Sequence, residues 1–146
     1  MDLAYELHDL VLTLDKQAET LLQPLGISYR RYVALVIVDE HPGVTGRDLS
    51  RALLVTEAAA SGIVKRLLAD GLIVDTSAAG SGHVRRLEAT DDGRALRVRS
   101  SKALGTTLDD TVRELGIEPT AFAHTIRSIH DAVLAPPVSD KKVANS

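Results

Sequence analysis

Between residues 45 and 93 the hydrophobic pattern changes from a helical period to a strand period, with a turn residue at each seam. Thr45 suits the capping of exposed helix amides, and Asp48 stands three residues on, in the reciprocal position of a capping box. Leu49, Ala52 and Leu53 follow at helical spacing. Val55 and Thr56 make a turn, and Thr56 is placed to cap a second helix that buries Ala59, Ile63, Val64, Leu67 and Leu68. Gly71 ends that helix, where a residue able to adopt positive φ is wanted. Residues 72–76, Leu-Ile-Val-Asp-Thr, read as a strand. A small, polar stretch at 78–83 and a second strand-like run at 84–89 complete a hairpin.

Helix, turn, helix, hairpin is the order of a winged helix-turn-helix, a unit that places one helix in a DNA groove. The expected fold class is mainly α with a small β-hairpin wing. A chain of 146 residues is expected to form a single domain able to bury a core, here residues 1–137. Hydrophobic residues make up 45% but aromatics only 3%, so that core is aliphatic. The absence of cysteine removes disulfides, thiolate metal sites and cysteine-based peroxide sensing together. No apolar run approaches about 18 residues, which excludes a membrane span. The first residues lack the basic start of a secretory signal, so a cytoplasmic protein is expected.

The net charge of −3 argues mildly against nucleic acid, because phosphate neutralisation dominates such binding. Its distribution argues the other way. Asp2, Glu6, Asp9, Asp15 and Glu19 load the first helical stretch, whereas Arg47, Arg51, Lys65, Arg66, Arg85 and Arg86 gather in the central unit.

The flanks read as a dimerisation frame around a lobe at 28–93. Residues 2–22 carry Leu3, Leu7, Leu10, Leu14 and Leu21, with Val11, Leu12 and Ala18 widening the stripe. Pro24 and Gly26 end this helix, and Ser28 opens another from Tyr29 to about Glu40. Thr90, Asp91 and Asp92 make a capped, acidic helix start, and the helix is expected to run to about Leu115. Gly116 breaks it, and Pro119 begins a last helix with Phe122, Ile126, Ile129 and Val133 on one face. Residues 2–22 and 91–134 are therefore the expected dimer helices, and the tail 138–146 is expected to lack order.

From the first helix to Val133 the chain resembles the MarR family (multiple antibiotic resistance regulators) in its order of helices and in the position of its wing. The most specific stretch is Leu49 to Val74, which follows the family's leucine, cap, V-x-R-L-x-x-x-G-L rhythm without a gap. Thr90 to Gly93 stands where the family has Thr-x-x-Gly at the end of the wing. The resemblance implies a homodimeric transcriptional regulator that binds a palindromic operator and is released by a small phenolic or lipophilic effector. The alternative is a relative that has lost strong DNA contact and serves as a ligand-binding or protein-interaction dimer.

The departures from the family pattern fall on the DNA-facing positions. Glu57 replaces a basic or polar residue, Gly62 a frequent arginine, and Ala58, Ala59 and Ala60 the usual Ser/Thr content. Ser81-Gly82-His83 replaces the Asp-x-Arg of the wing. The DNA-binding candidates are Thr45, Thr56, Glu57, Ala58, Ser61, Gly62 and Lys65 from the helix-turn-helix, and His83, Arg85 and Arg86 from the wing. Thr56 is more firmly a cap than a phosphate donor. Glu57 either accepts from a cytosine amino group or, the preferred reading, is a dipole-favoured first-turn acid. Arg85 and Arg86 alternate across a strand, so one faces DNA and the other an acid of the domain.

Other chemistry finds little support. His124 and His130 are six residues apart and do not share a helix face as ligands at i, i+4 would. Gly80-Ser81-Gly82-His83 lacks the Gly-x-Ser-x-Gly of a nucleophile elbow, and no phosphate-cradling loop precedes a helix. Neither an enzyme nor a metal or other cofactor is expected. In the family the effector pocket forms where the first two helices meet the fifth. The resemblance therefore makes Tyr5, Leu12, Tyr29, Arg30, Tyr32 and Val36 the ligand candidates, with Arg30 or Arg31 to face a carboxylate. Core packing with hydroxyls at the rim is an equal reading of the tyrosines.

Overall fold

Helices begin where a short polar side chain can take up their free amides. The Asp2 carboxylate accepts from the Tyr5 N–H at 3.0 Å and starts α1 (Leu3–Leu22). The Ser28 hydroxyl accepts from the Arg31 N–H at 3.2 Å and starts α2 (Tyr29–Glu40). Thr45 and Asp48 form a reciprocal capping box at the start of α3 (Gly46–Leu53). Thr56 caps α4 (Glu57–Ala69), and Thr90 caps α5 (Asp91–Leu104). Each such cap contributes about 1 kcal/mol and sets the register of its helix. The computed structural model describes residues 1–78 and 84–136, so His83 of the wing and the expected disordered tail 138–146 lie outside the described residues.

Strands β1 (Ile73–Asp75) and β2 (Leu87–Ala89) pair antiparallel, with Ile73 opposite Ala89 and Asp75 opposite Leu87. Val44 adds a single bridge to Leu87: the Leu87 N–H donates to the Val44 carbonyl at 3.0 Å and the Gly43 N–H to the Leu87 carbonyl at 2.8 Å. This ties the segment before α3 to the root of the wing. The described residues fall into two compact units, Met1–Gly105 and the part from Thr106 onward.

The first unit holds the core. Leu22, Leu35, Leu49, Leu67 and Leu87 have no exposed surface, and they come from α1, α2, α3, α4 and β2 in turn. Burying one such side chain stabilises by about 1.5–3 kcal/mol, so the leucines lock the helix-turn-helix to its flanking elements. Arg97 of α5 clamps the end of α2, reaching Asp39 and Glu40 at 2.8 Å each, and these carboxylates hold its guanidinium charged against the opposing effect of burial.

The second unit contains α6 (Thr107–Glu114) and α7 (Pro119–Leu134), and neither helix has a buried residue. Gly116, at φ 80°, closes α6, and the Glu118 carboxylate caps α7 by accepting from the Thr120 and Ala121 amides.

The structure corrects the expected elements in three places. The helix expected from Asp91 to Leu115 is two helices, because Gly105 adopts φ 68° and ψ −160° and ends α5. The described residues thus form seven α-helices rather than six. Both strands are shorter than the sequence suggests, and Val84, Arg85 and Arg86 precede β2 rather than lying in it. The turn between α3 and α4 begins earlier, at Leu54, whose φ of 54° and ψ of 43° place a leucine in the left-handed region. No helix among the described residues is long and apolar enough to cross a membrane.

Candidate nucleic-acid interface

The capping box of α3, the first turns of α4 and the start of the second wing strand border one open cleft of about 550 Å³. Thr45, Glu57, Ser61, Lys65 and Arg85, singled out separately in the sequence, all line it. Periodicity explains the presentation on α4. Ala60, Val64 and Leu67 are buried against the core, which leaves Ala58, Ser61, Gly62 and Lys65 exposed on the remaining surface of the helix. Ala58 and Gly62 are exposed beside the cleft and do not line it. A Cβ added at Gly62 would meet nothing within 4 Å.

Among the described residues, three cations, Arg47, Lys65 and Arg85, face this cleft against one carboxylate, Glu57. Arg47 was not among the sequence candidates. Its signal was an unfavourable placement, a cation in the first turn of α3, where the helix dipole disfavours positive charge. The Arg47 Nε lies 3.7 Å from a Glu57 carboxylate oxygen, with both side chains largely exposed.

The wing root separates the two neighbouring arginines. Arg85 lines the cleft, whereas the Arg86 guanidinium donates to the Gly43 carbonyl at 3.4 Å. The expected acid partner of Arg86 is thus replaced by a backbone carbonyl, because the bridge from Val44 brings Gly43 alongside. Asp75 instead binds the Arg86 backbone: its carboxylate accepts the Arg86 N–H at 3.2 Å and the Ser77 N–H at 2.9 Å. The hydrogen bonds from Ser77 hold the Asp75 carboxyl below its ordinary value, and the Arg86 amide and the Arg85 charge add to the effect. Asp48 is likewise held below its ordinary value, first by the Thr45 amide and then by the Thr45 hydroxyl. Two ionised carboxylates therefore brace the segments that present Arg47 and Arg85.

The ligand candidates are only partly brought together. Tyr29 and Tyr32 are half-buried one turn apart on α2, with ring centroids 6.2 Å apart and planes tilted by 33°. Burial raises the Tyr29 phenol above its ordinary value, with Asp15 and then Tyr32 adding to the effect. Val36 is half-buried and Arg30 exposed on the same helix, while Tyr5 and Leu12 are 65% and 54% exposed on α1. Arg31 is turned away to Asp70 at 3.7 Å and to the Ser28 hydroxyl at 3.1 Å. Among the described residues no group of three or more His, Asp or Glu side chains is placed to hold a metal ion.

Comparison with known proteins agrees with the winged helix-turn-helix fold. Residues 25–95 match the MarR family. The HTH-type transcriptional repressor Rv2887 of Mycobacterium tuberculosis is 28% identical over 98 residues, covering 67% of this chain and 70% of the relative. CouR from Rhodococcus jostii RHA1, solved bound to p-coumaroyl-CoA, superposes with a TM-score of 0.76 at 22% identity, over 91% of this chain and 92% of CouR. The repressor CouR bound to a 23-mer DNA duplex gives a TM-score of 0.75 at 21% identity, over 92% of this chain and 93% of the other.

Proposed function

The chain belongs to the MarR family of transcriptional regulators, and from that premise we propose that it is a homodimeric repressor of a palindromic operator, released by a small aromatic effector. The observation that carries the DNA reading is the single cleft in which Thr45, Ser61, Lys65 and Arg85 converge beside the exposed face of α4. In this reading α4 enters the major groove, its first turns meet base edges, and the wing root brings Arg85 to the phosphate backbone.

Dimerisation is supported by apolar surface that the single chain leaves uncovered. Leu3, Leu7, Leu10 and Val11 of α1 are between 42% and 73% exposed, and Ile126, Ile129 and Val133 of α7 between 48% and 77%. Stripes of this extent on monomeric proteins mark association surfaces. A two-fold dimer places its recognition helices on half-sites about 10 base pairs apart, one turn of the duplex.

The effector reading rests on Tyr29 and Tyr32, a pair of half-buried rings near the start of α2 suited to a planar ligand, with Arg30 exposed beside them for a carboxylate. The function is tested by titrating the protein with the duplex upstream of its own gene and with a random duplex of equal length, over a range of salt. Tighter binding to the native duplex, relieved by p-coumaroyl-CoA, with which CouR was solved, or by salicylate, with which Rv2887 was solved, is the expected result. Equal affinity for the two duplexes would favour a ligand-binding or interaction dimer, for which the Glu57 carboxylate in the cleft is the supporting observation.

A further inference from the structure

Glu57 is the first residue of α4 and, among the described residues lining the cleft, the one carboxylate, beside Arg47, Lys65 and Arg85. Facing a phosphate backbone it can only repel, since a phosphate diester offers no donor. Facing base edges it is an acceptor that discriminates. In the major groove the donors are the amino groups of cytosine and adenine. Adenine sets its N7 acceptor beside that amino group, where it would oppose a carboxylate, whereas cytosine does not. The first residues of a recognition helix are those that reach base edges.

The neighbourhood leaves Glu57 available for this. Its side chain is 74% exposed, and 3.7 Å to the Arg47 Nε is beyond hydrogen-bond length. Arg47 therefore supplies an opposing charge without occupying the carboxylate. Lys65 and Arg85 border the same cleft and supply cations for the surrounding phosphates.

Resting on the DNA-binding reading above, we propose that Glu57 is a specificity-determining residue of this chain: its carboxylate accepts from the amino group of one cytosine in each half-site. Arg47 is its counter-charge, limiting the repulsion that a carboxylate would otherwise meet at the DNA surface. Glu57 thus lowers affinity for DNA at large while raising the contrast between the right sequence and the wrong one.

The test is selection of sites from a random duplex library by the full chain, by Glu57→Ala and by Arg47→Ala, followed by titration of the selected site and its single-base variants. Both side chains are exposed, so both variants should fold and melt close to the parent, Glu57→Ala slightly lower for the loss of a first-turn acid. The parent should select a motif with one cytosine per half-site, and replacing it with thymine, which offers an acceptor there, should weaken binding roughly tenfold. Glu57→Ala should lose the preference at that position alone and bind random duplex more tightly, most clearly at low salt. Arg47→Ala should keep the cytosine preference and bind random duplex more weakly. A Glu57→Ala protein that discriminates at every position as the parent does would overturn the inference. So would loss of the cytosine preference in Arg47→Ala alone, which would assign the readout to the arginine. If the parent selects no motif, the DNA-binding reading itself fails, and this inference with it.

Discussion

Gly93 of α5 lies directly against the backbone carbonyl of Leu72: a Cβ at position 93 would collide with the Leu72 oxygen and stand 3.3 Å from Leu35 Cδ1. Thr90 holds this contact closed. Its hydroxyl donates to the Gly71 carbonyl at 2.6 Å, its N–H to the Leu72 carbonyl at 3.1 Å, and the Gly93 N–H donates back to the hydroxyl at 3.0 Å. The start of α5 is thereby docked onto the exit of α4, which sets how α4 is held against α5.

Gly93→Ala should lower stability by about 1–3 kcal/mol, because the obstructing atom is backbone and cannot rotate away. Gly62→Ala, in open space on α4, should raise stability by under about 1 kcal/mol. Thermal unfolding of the two variants beside the parent checks both signs. A Gly93→Ala protein melting with the parent would mean that α5 shifts freely at this contact.

Acid should loosen the helix-turn-helix through Asp48. Its folded carboxyl titrates below the ordinary value of 3.8, so its contribution is fully present above about pH 5 and is lost as pH falls through the folded value. Asp75 follows the same sign at the wing root. Urea unfolding from pH 7 down to pH 3 should show stability falling most steeply below about pH 4. Asp48→Asn should be less stable at neutral pH and lose less on acidification. Parallel curves for the variant and the parent would count against this role.

DNA binding should follow the cleft cations. Lys65→Ala and Arg85→Ala should each weaken binding and reduce the salt slope by about 0.9, the loss of one phosphate contact apiece. Gly62→Arg should strengthen non-specific binding, more at low salt than at high, while also removing a mid-helix glycine. A higher melting temperature for Gly62→Arg with unchanged DNA affinity would show that this face of α4 does not approach phosphate.

Ile126→Asp tests the proposed dimer surface. Ile126 is 48% exposed in the single chain, so a monomer would tolerate the charge, whereas an interface would bury it unpaired at a cost of several kcal/mol. Sedimentation should show the parent at twice its chain mass of 15.6 kDa, and the variant as monomer or aggregate. A parent sedimenting as a stable monomer at micromolar concentration would exclude the homodimer.

Helix starts and the close of α4 were legible because they depend on neighbours in the chain. Thr45 with Asp48, Thr56 with Ala59, and Thr90 with Gly93 each make their bonds three residues away, and Gly71 supplies the positive φ at the end of α4. The aliphatic spacing on α4 likewise found Val64 and Leu67 of its buried face, while Ala60 rather than Ala59 is the buried alanine. The break at Gly105 was not legible, since one glycine costs a helix interior only about 1 kcal/mol and chain context decides whether it bends or continues.

Local spacing set pairs such as Arg66 with Asp70 and Arg113 with Asp110, but tertiary structure alone decided the distant partners of the charged residues. Arg86 finds the Gly43 carbonyl 43 positions away, Arg97 finds Asp39 58 positions away, and Arg47 meets Glu57 only because the turn at Leu54 folds α4 back onto the start of α3. A hydrophobic stripe states which face must be buried, because burial depends on the residue's own surface. A long charged side chain has many partners of nearly equal energy in water, and its choice is settled only when the folded backbone brings one of them within reach.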